Sequence, residues 1–125
     1  MAAGTLVSSG SSLNMPTGSG SERLRRASIH NLNNDTQTIL QGVAGHIYTI
    51  LLISFNNQSG TASEIEITMN DGSNDIRLLR NHSVPYPGSF VWNDKFVIEE
   101  NDYIQVQNSV SSGDWIISYI DQDWA

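Results

Sequence analysis

Residues 62–81 read ASEIEITMNDGSNDIRLLRN. Ile65, Ile67 and Met69 share one parity and Glu64, Glu66 and Thr68 the other, the two-residue period of a strand with one face in a core and one in water. Asp71-Gly72 then breaks the run with a strong hairpin signal. Residues 75–81 return as a second strand, Ile76, Leu78 and Arg80 opposing Arg77 and Leu79. An antiparallel hairpin therefore sets the fold class.

The same grammar extends in both directions. Upstream, residues 25–31 and 36–41 read as strands around an Asn33-Asn34-Asp35 turn. Residues 46–56 form a near-continuous apolar run, the mark of a central strand covered on both faces. Downstream, Val84-Pro-Tyr-Pro-Gly88 is a turn, because two prolines remove ladder donors. Residues 89–92 and 95–98 flank a turn at Asn93-Asp94, and residues 99–102 form a polar turn. In residues 103–107, Tyr103, Gln105 and Gln107 oppose Ile104 and Val106, and 115–120 make the final strand. No ten-residue window carries a capped 3.6-residue period. About eight short strands between turn clusters predict an all-β, antiparallel β-sandwich of jelly-roll type.

Residues 1–21 are dominated by Gly, Ser, Ala and Thr, with isolated Leu6, Val7, Leu13 and Met15, too little apolar surface to offset the entropy of ordering them alone. The chain thus divides into an extended N-terminal arm, 1–28, and a sandwich domain, 29–125. Its 125 residues leave no room for a second domain. Charged residues make up 15% of the chain, against roughly 25% in a typical soluble domain, and Asn, Ser, Thr and Gly supply the missing polarity. The formal net charge is −7; Arg23, Arg25 and Arg26 against Glu22 give residues 1–30 a charge of +2, leaving −9 for the remainder. An acidic body disfavours nucleic acid, while the three arginines suit an acidic partner surface.

The absence of cysteine excludes a disulfide framework, a thiol nucleophile and a cysteine metal cluster. The first sixteen residues lack the basic start and apolar stretch of a secretory signal. The longest apolar run, 47–55, is far short of the roughly 20 residues of a membrane helix. The sequence reads as a soluble chain without membrane contact.

Residues 70–75 hold several oxygen ligands but lack the spacing and terminal Glu of a calcium loop, so they read as a hairpin turn. Asp121 and Asp123 lie close in sequence near the C-terminus, where such a spacing arises by chance. His30, His46 and His82 fall in separate segments without zinc spacing. No Gly-x-Ser-x-Gly elbow or phosphate-cradling motif occurs. Glu99 and Glu100 are adjacent in sequence, and adjacent positions of extended chain point to opposite faces rather than into one cleft. The reading is a non-enzyme without cofactor, catalytic residue or metal. Among the aromatics, Tyr86 between two prolines and Trp124 beside the terminus are the candidates for contact with a neighbouring chain; the other tyrosines and tryptophans belong to the core.

The order of four segments, ILQGVAGHIYTI (39–50), EIEI (64–67), PYPGSFVW (85–92) and ENDYIQV (100–106), resembles small virion proteins of tailed bacteriophages. The resemblance spans residues 36–120 and is one of pattern. It implies a β-sandwich or jelly roll, often trimeric, placed on the capsid surface as a decoration (cement) protein or else at the neck, tail or fibre. It further implies synthesis in the host cytoplasm and a major capsid or other virion protein as partner. Leu6, Val7, Leu13 and Met15 would then fill apolar pockets on the lattice, and Arg23, Arg25 and Arg26 would pair with acidic capsid groups. The rival expectation is a carbohydrate- or receptor-binding module of a tail fibre, which the same fold supports.

Overall fold

The structure, a computed structural model, describes residues 20–31, 34–110 and 112–124. Nine strands are present among them: β1 (Ser21–Asn31), β2 (Gln37–Gln41), β3 (His46–Asn57), β4 (Ser63–Asn70), β5 (Asp75–Val84), β6 (Gly88–Trp92), β7 (Phe96–Ile98), β8 (Tyr103–Asn108) and β9 (Gly113–Asp123). They form two antiparallel sheets, one in the order β1-β9-β3-β6 with β7 also on β3, the other β2-β8-β4-β5. The predicted all-β sandwich is what the chain adopts.

The pairings are nested. The β4–β5 hairpin lies innermost in the sequence, β3 pairs with β6 and β7 around it, β2 with β8 around that, and β1 with β9 outermost. A long antiparallel ribbon rolled so that β3 also meets β9 and β4 meets β8 is a jelly roll. β6 and β7 together fill the place of one strand beside β3, separated by the turn read at Asn93-Asp94.

The hairpin turn follows its chemistry. The Asp71 carboxylate accepts from the backbone N–H of Ser73 at 3.0 Å and of Asn74 at 2.8 Å, and Gly72 takes a φ of 95° that side chains rarely tolerate. The backbone bonds to Asn74 and Ser73 hold the Asp71 carboxyl below its ordinary value.

The core lies between the sheets, built from Ile50, Ile53, Phe55, Ile98, Trp115 and Ile117 on one side and Ile65, Ile67, Ile104 and Val106 on the other. Phe55 and Trp115 are cross-strand partners with ring centroids 4.7 Å apart. The expectation that β3 is covered on both faces is corrected here. β3 is central in its sheet, yet Tyr48 and Ile50 are buried before a register shift between Ile50 and Leu52, and Ile53, Phe55 and Asn57 after it. A bulge inserts one residue and reverses the parity. The continuous apolar run comes from this change of phase, with only one face in the core.

Candidate functional site

β1 is an edge strand whose eleven residues all pair with β9. It begins at Ser21, so residues 21–28, read from sequence as part of the arm, stand in the sheet. Leu6, Val7, Leu13 and Met15 lie outside the described residues. The three arginines do not form one patch. Opposed residues of an antiparallel pair share a face, so Arg23 and Arg25 stand on the inner side with Asp121 and Tyr119, whereas Arg26 is outside with Ser118.

Arg25 is engaged within the chain: its Nε lies 3.0 Å from Asp121 Oδ2. His46, on β3, places Nδ1 2.7 Å from the other oxygen of Asp121 and Nε2 3.4 Å from Asp123. Asp121 is buried, so a charge costly to desolvate is held by two cationic or donor groups from two strands. Burial raises the phenol of the adjacent Tyr48, and the Asp121 charge adds to it. Burial raises Tyr119 also, Arg25 opposing and Asp121 adding. Both oxygens of Asp121 are occupied, so this cluster ties β1, β3 and β9 together at one end of the sandwich. The other histidines sit elsewhere, His30 on Asp114 and His82 against the Phe90 ring.

The two outer faces differ in chemistry. On the β2-β8-β4-β5 sheet the outward side chains are polar: Glu64, Glu66, Thr68, Gln105 and Gln107, with Arg77 bonded to Glu66 at 2.7 Å. On the β1-β9-β3-β6 sheet charge stands in the end rows, Glu22 beside Gln122 at one end and His30 on Asp114 at the other, and the rows between them mix apolar with mostly uncharged polar side chains. One row across the strands runs Leu24, Ile120, Thr49, Val97; the next runs Arg26, Ser118, Leu52; the third runs Ser28, Ile116, Ser54, Val91. Leu24 is 74% exposed, and Val91, Val97 and Ile116 are 40–49% exposed. Arg26 is the only charge in these rows. Sequence reasoning missed this face, because the rows exist only once the register between distant strands is known.

Tyr86 is exposed in the β5–β6 turn and is the one aromatic among the large exposed hydrophobic side chains of the described residues. Trp124 is half-buried; its backbone N–H donates to the Gly45 carbonyl at 2.8 Å, and its indole lies so close over Gly20 that a Cβ there would collide with it. Trp124 therefore packs on the residue where the N-terminal segment enters the sheet.

The sequence matches no protein-family model and no curated protein. Solved structures of similar shape include the acid-stable capsid of Helicobacter pylori bacteriophage KHP30, at 8% identity and TM-score 0.49, covering 86% of this chain and 95% of that one. Bacillus endospore appendages, described as disulfide-linked pili, align at 10% identity and TM-score 0.47 over 90% of this chain and 96% of that one. A pentameric capsid protein from metagenomic phage sequences aligns at 16% identity and TM-score 0.42 over 78% of this chain and 60% of that one. Likeness at this level assigns neither a family nor a function.

Proposed function

We propose that this chain is a non-enzymatic structural protein of a phage virion that decorates the capsid. It works as a homo-oligomer and binds the head lattice through its N-terminal segment and the outer face of the β1-β9-β3-β6 sheet. The observation that carries this reading is the contrast between the two outer faces. A sheet face meant for water alternates apolar in and polar out, and the glutamate- and glutamine-bearing face does so. The opposite face carries Leu24, Ile116, Val91 and Val97 in nearly uncharged rows, the composition of a protein–protein contact. Residues 1–20 contain no charged side chain and so match the uncharged character of that face. The virion setting comes from the resemblance of residues 36–120 to phage virion proteins.

The test is co-sedimentation with purified capsids of candidate tailed phages, using the full chain, a chain lacking residues 1–19, and the double variant Val91→Asp, Ile116→Asp. The full chain should pellet with its particle and both altered chains should stay in solution. Equal pelleting of all three would overturn the reading.

A further inference from the structure

We infer that the free edge of β1 is the site at which a second copy of this chain joins, antiparallel about a two-fold axis normal to the sheet and centred on Leu24. Among the described residues β1 pairs with β9 alone, so around Leu24, from Ser21 to Ala27, the outer edge of the strand has no strand partner among them. Such edges are templates for another strand unless they are defended, often by charge. β1 does carry charge, and its order decides between defence and pairing.

Along the outer side of the strand the residues run Glu22, Leu24, Arg26. Laid antiparallel on its own copy about Leu24, this triplet is self-complementary. Glu22 faces Arg26 of the partner subunit, Leu24 faces Leu24 of the partner subunit, and Arg26 faces Glu22 of the partner subunit. Centring on Arg23, Arg25 or Arg26 would set an arginine against itself; centring further along leaves Glu22 without a basic partner. In the Leu24 register Arg23 opposes Arg25 of the partner subunit on the inner side, where Arg25 is already neutralised by Asp121 at 3.0 Å. Glu22 accepts from Gln122 through Oε2 at 3.0 Å, which leaves Oε1 for the arginine.

The register also joins the exposed apolar surface. Val97, Thr49, Ile120 and Leu24 form one line across a protomer, and pairing at Leu24 continues it through the partner into a single row over both sheets. Leu24, 74% exposed in the single chain, becomes its midpoint. An isologous contact of this kind closes at two copies, in place of the trimer that the family resemblance implies. It requires no particle, so it stands or falls separately from the capsid assignment.

Light scattering of the full-length protein should give twice the 13.7 kDa chain mass. Arg26→Glu alone and Glu22→Arg alone each set two like charges opposite one another twice per dimer, and each should weaken association about tenfold or more. Mixing the two variants restores opposite charges in both pairs, so a dimer should reappear in the mixture. A misfolded variant would not be rescued in this way. A monomeric or trimeric wild-type chain, single variants with unchanged mass, or a mixture that stays monomeric would each overturn the proposal. A chain that dimerises only after removal of residues 1–19 would do so too, by showing that its own N-terminal segment occupies the edge.

Discussion

Ile116 and Ile117 are neighbours on β9 and differ in the face they occupy, so truncating each in turn measures the sandwich directly. Ile117 is fully buried and Ile116 is 40% exposed. Replacing Ile117 by Ala removes three carbons, about 2.4 kcal/mol at ~0.8 kcal/mol each. The void between two packed sheets adds about 1 kcal/mol if half of it collapses. The expected loss is about 3.5 kcal/mol, a fall in Tm of roughly 15 °C for a domain of this size. Ile116→Ala leaves no closed cavity and removes a side chain already in water over two fifths of its surface, so about 1 kcal/mol is expected. Urea unfolding followed by tryptophan fluorescence gives both numbers, because Trp115 sits in the core beside the substituted positions. Equal losses, or a larger loss at Ile116, would refute the assignment of faces, since a one-residue slip of β9 exchanges every inward side chain for an outward one.

Three further outcomes follow from the interior. Asp121→Ala removes the shared acceptor of Arg25 and His46 and should cost about 2 kcal/mol in chemical denaturation, discounted because Arg25 is 44% exposed; a loss under about 0.5 kcal/mol would show that the cluster does not fasten β1 to β3 and β9. Gly113→Ala drives a methyl group into the Phe55 ring and should destabilise by about 1–3 kcal/mol through overpacking, with Gly60→Ala, at an open position, as the comparison for backbone strain without a clash. Tyr48 and Tyr119 keep their protons in the folded chain above the ordinary value of 10.0, so above that pH the unfolded chain binds fewer protons than the native one and stability falls as pH rises. Melting temperatures between pH 8 and 11 should therefore drop on the alkaline side, and Tyr48→Phe should flatten the drop; identical profiles would contradict the burial of the phenol.

The hairpin, the alternation of β4 and β8 and the turns at the prolines were legible because each is written in neighbouring residues. Period-two patterns name a face without reference to the rest of the chain. Two features resisted the same reading. The apolar run of β3 suggested burial on both sides, since a bulge at Leu51 that shifts parity leaves the same local signature as a strand buried on both faces. The start of β1 was hidden because Ser21–Arg26 carries charge on both of its faces, which no core-facing pattern announces; an edge strand needs none, as its pairing with β9 supplies the bonds. The Arg25–Asp121–His46 cluster was invisible for a different reason. His46 and Asp121 are separated by 75 positions and meet only through the register of three strands. Trp124 was read as a possible contact residue, and its packing on Gly20 likewise follows from register.

Composition and the two faces have one physical explanation. The 15% of charged residues falls short of the typical quarter by about a dozen side chains in a chain of this length. A sandwich has two outer faces, and solubility ordinarily requires charge on both. Here Glu64, Glu66 and Arg77 equip one face, while the three rows across the other hold a single charge, Arg26. The shortage is concentrated in these three rows and in residues 1–20, which hold no charged side chain. Ser28, Ser54, Ser118 and Thr49, set among the exposed Leu24, Val91, Val97 and Ile116, are polar without carrying a charge, so burying them costs less than burying ionised groups. Charge would raise the cost of burying that face. The −9 carried by residues 31–125 lies outside these rows.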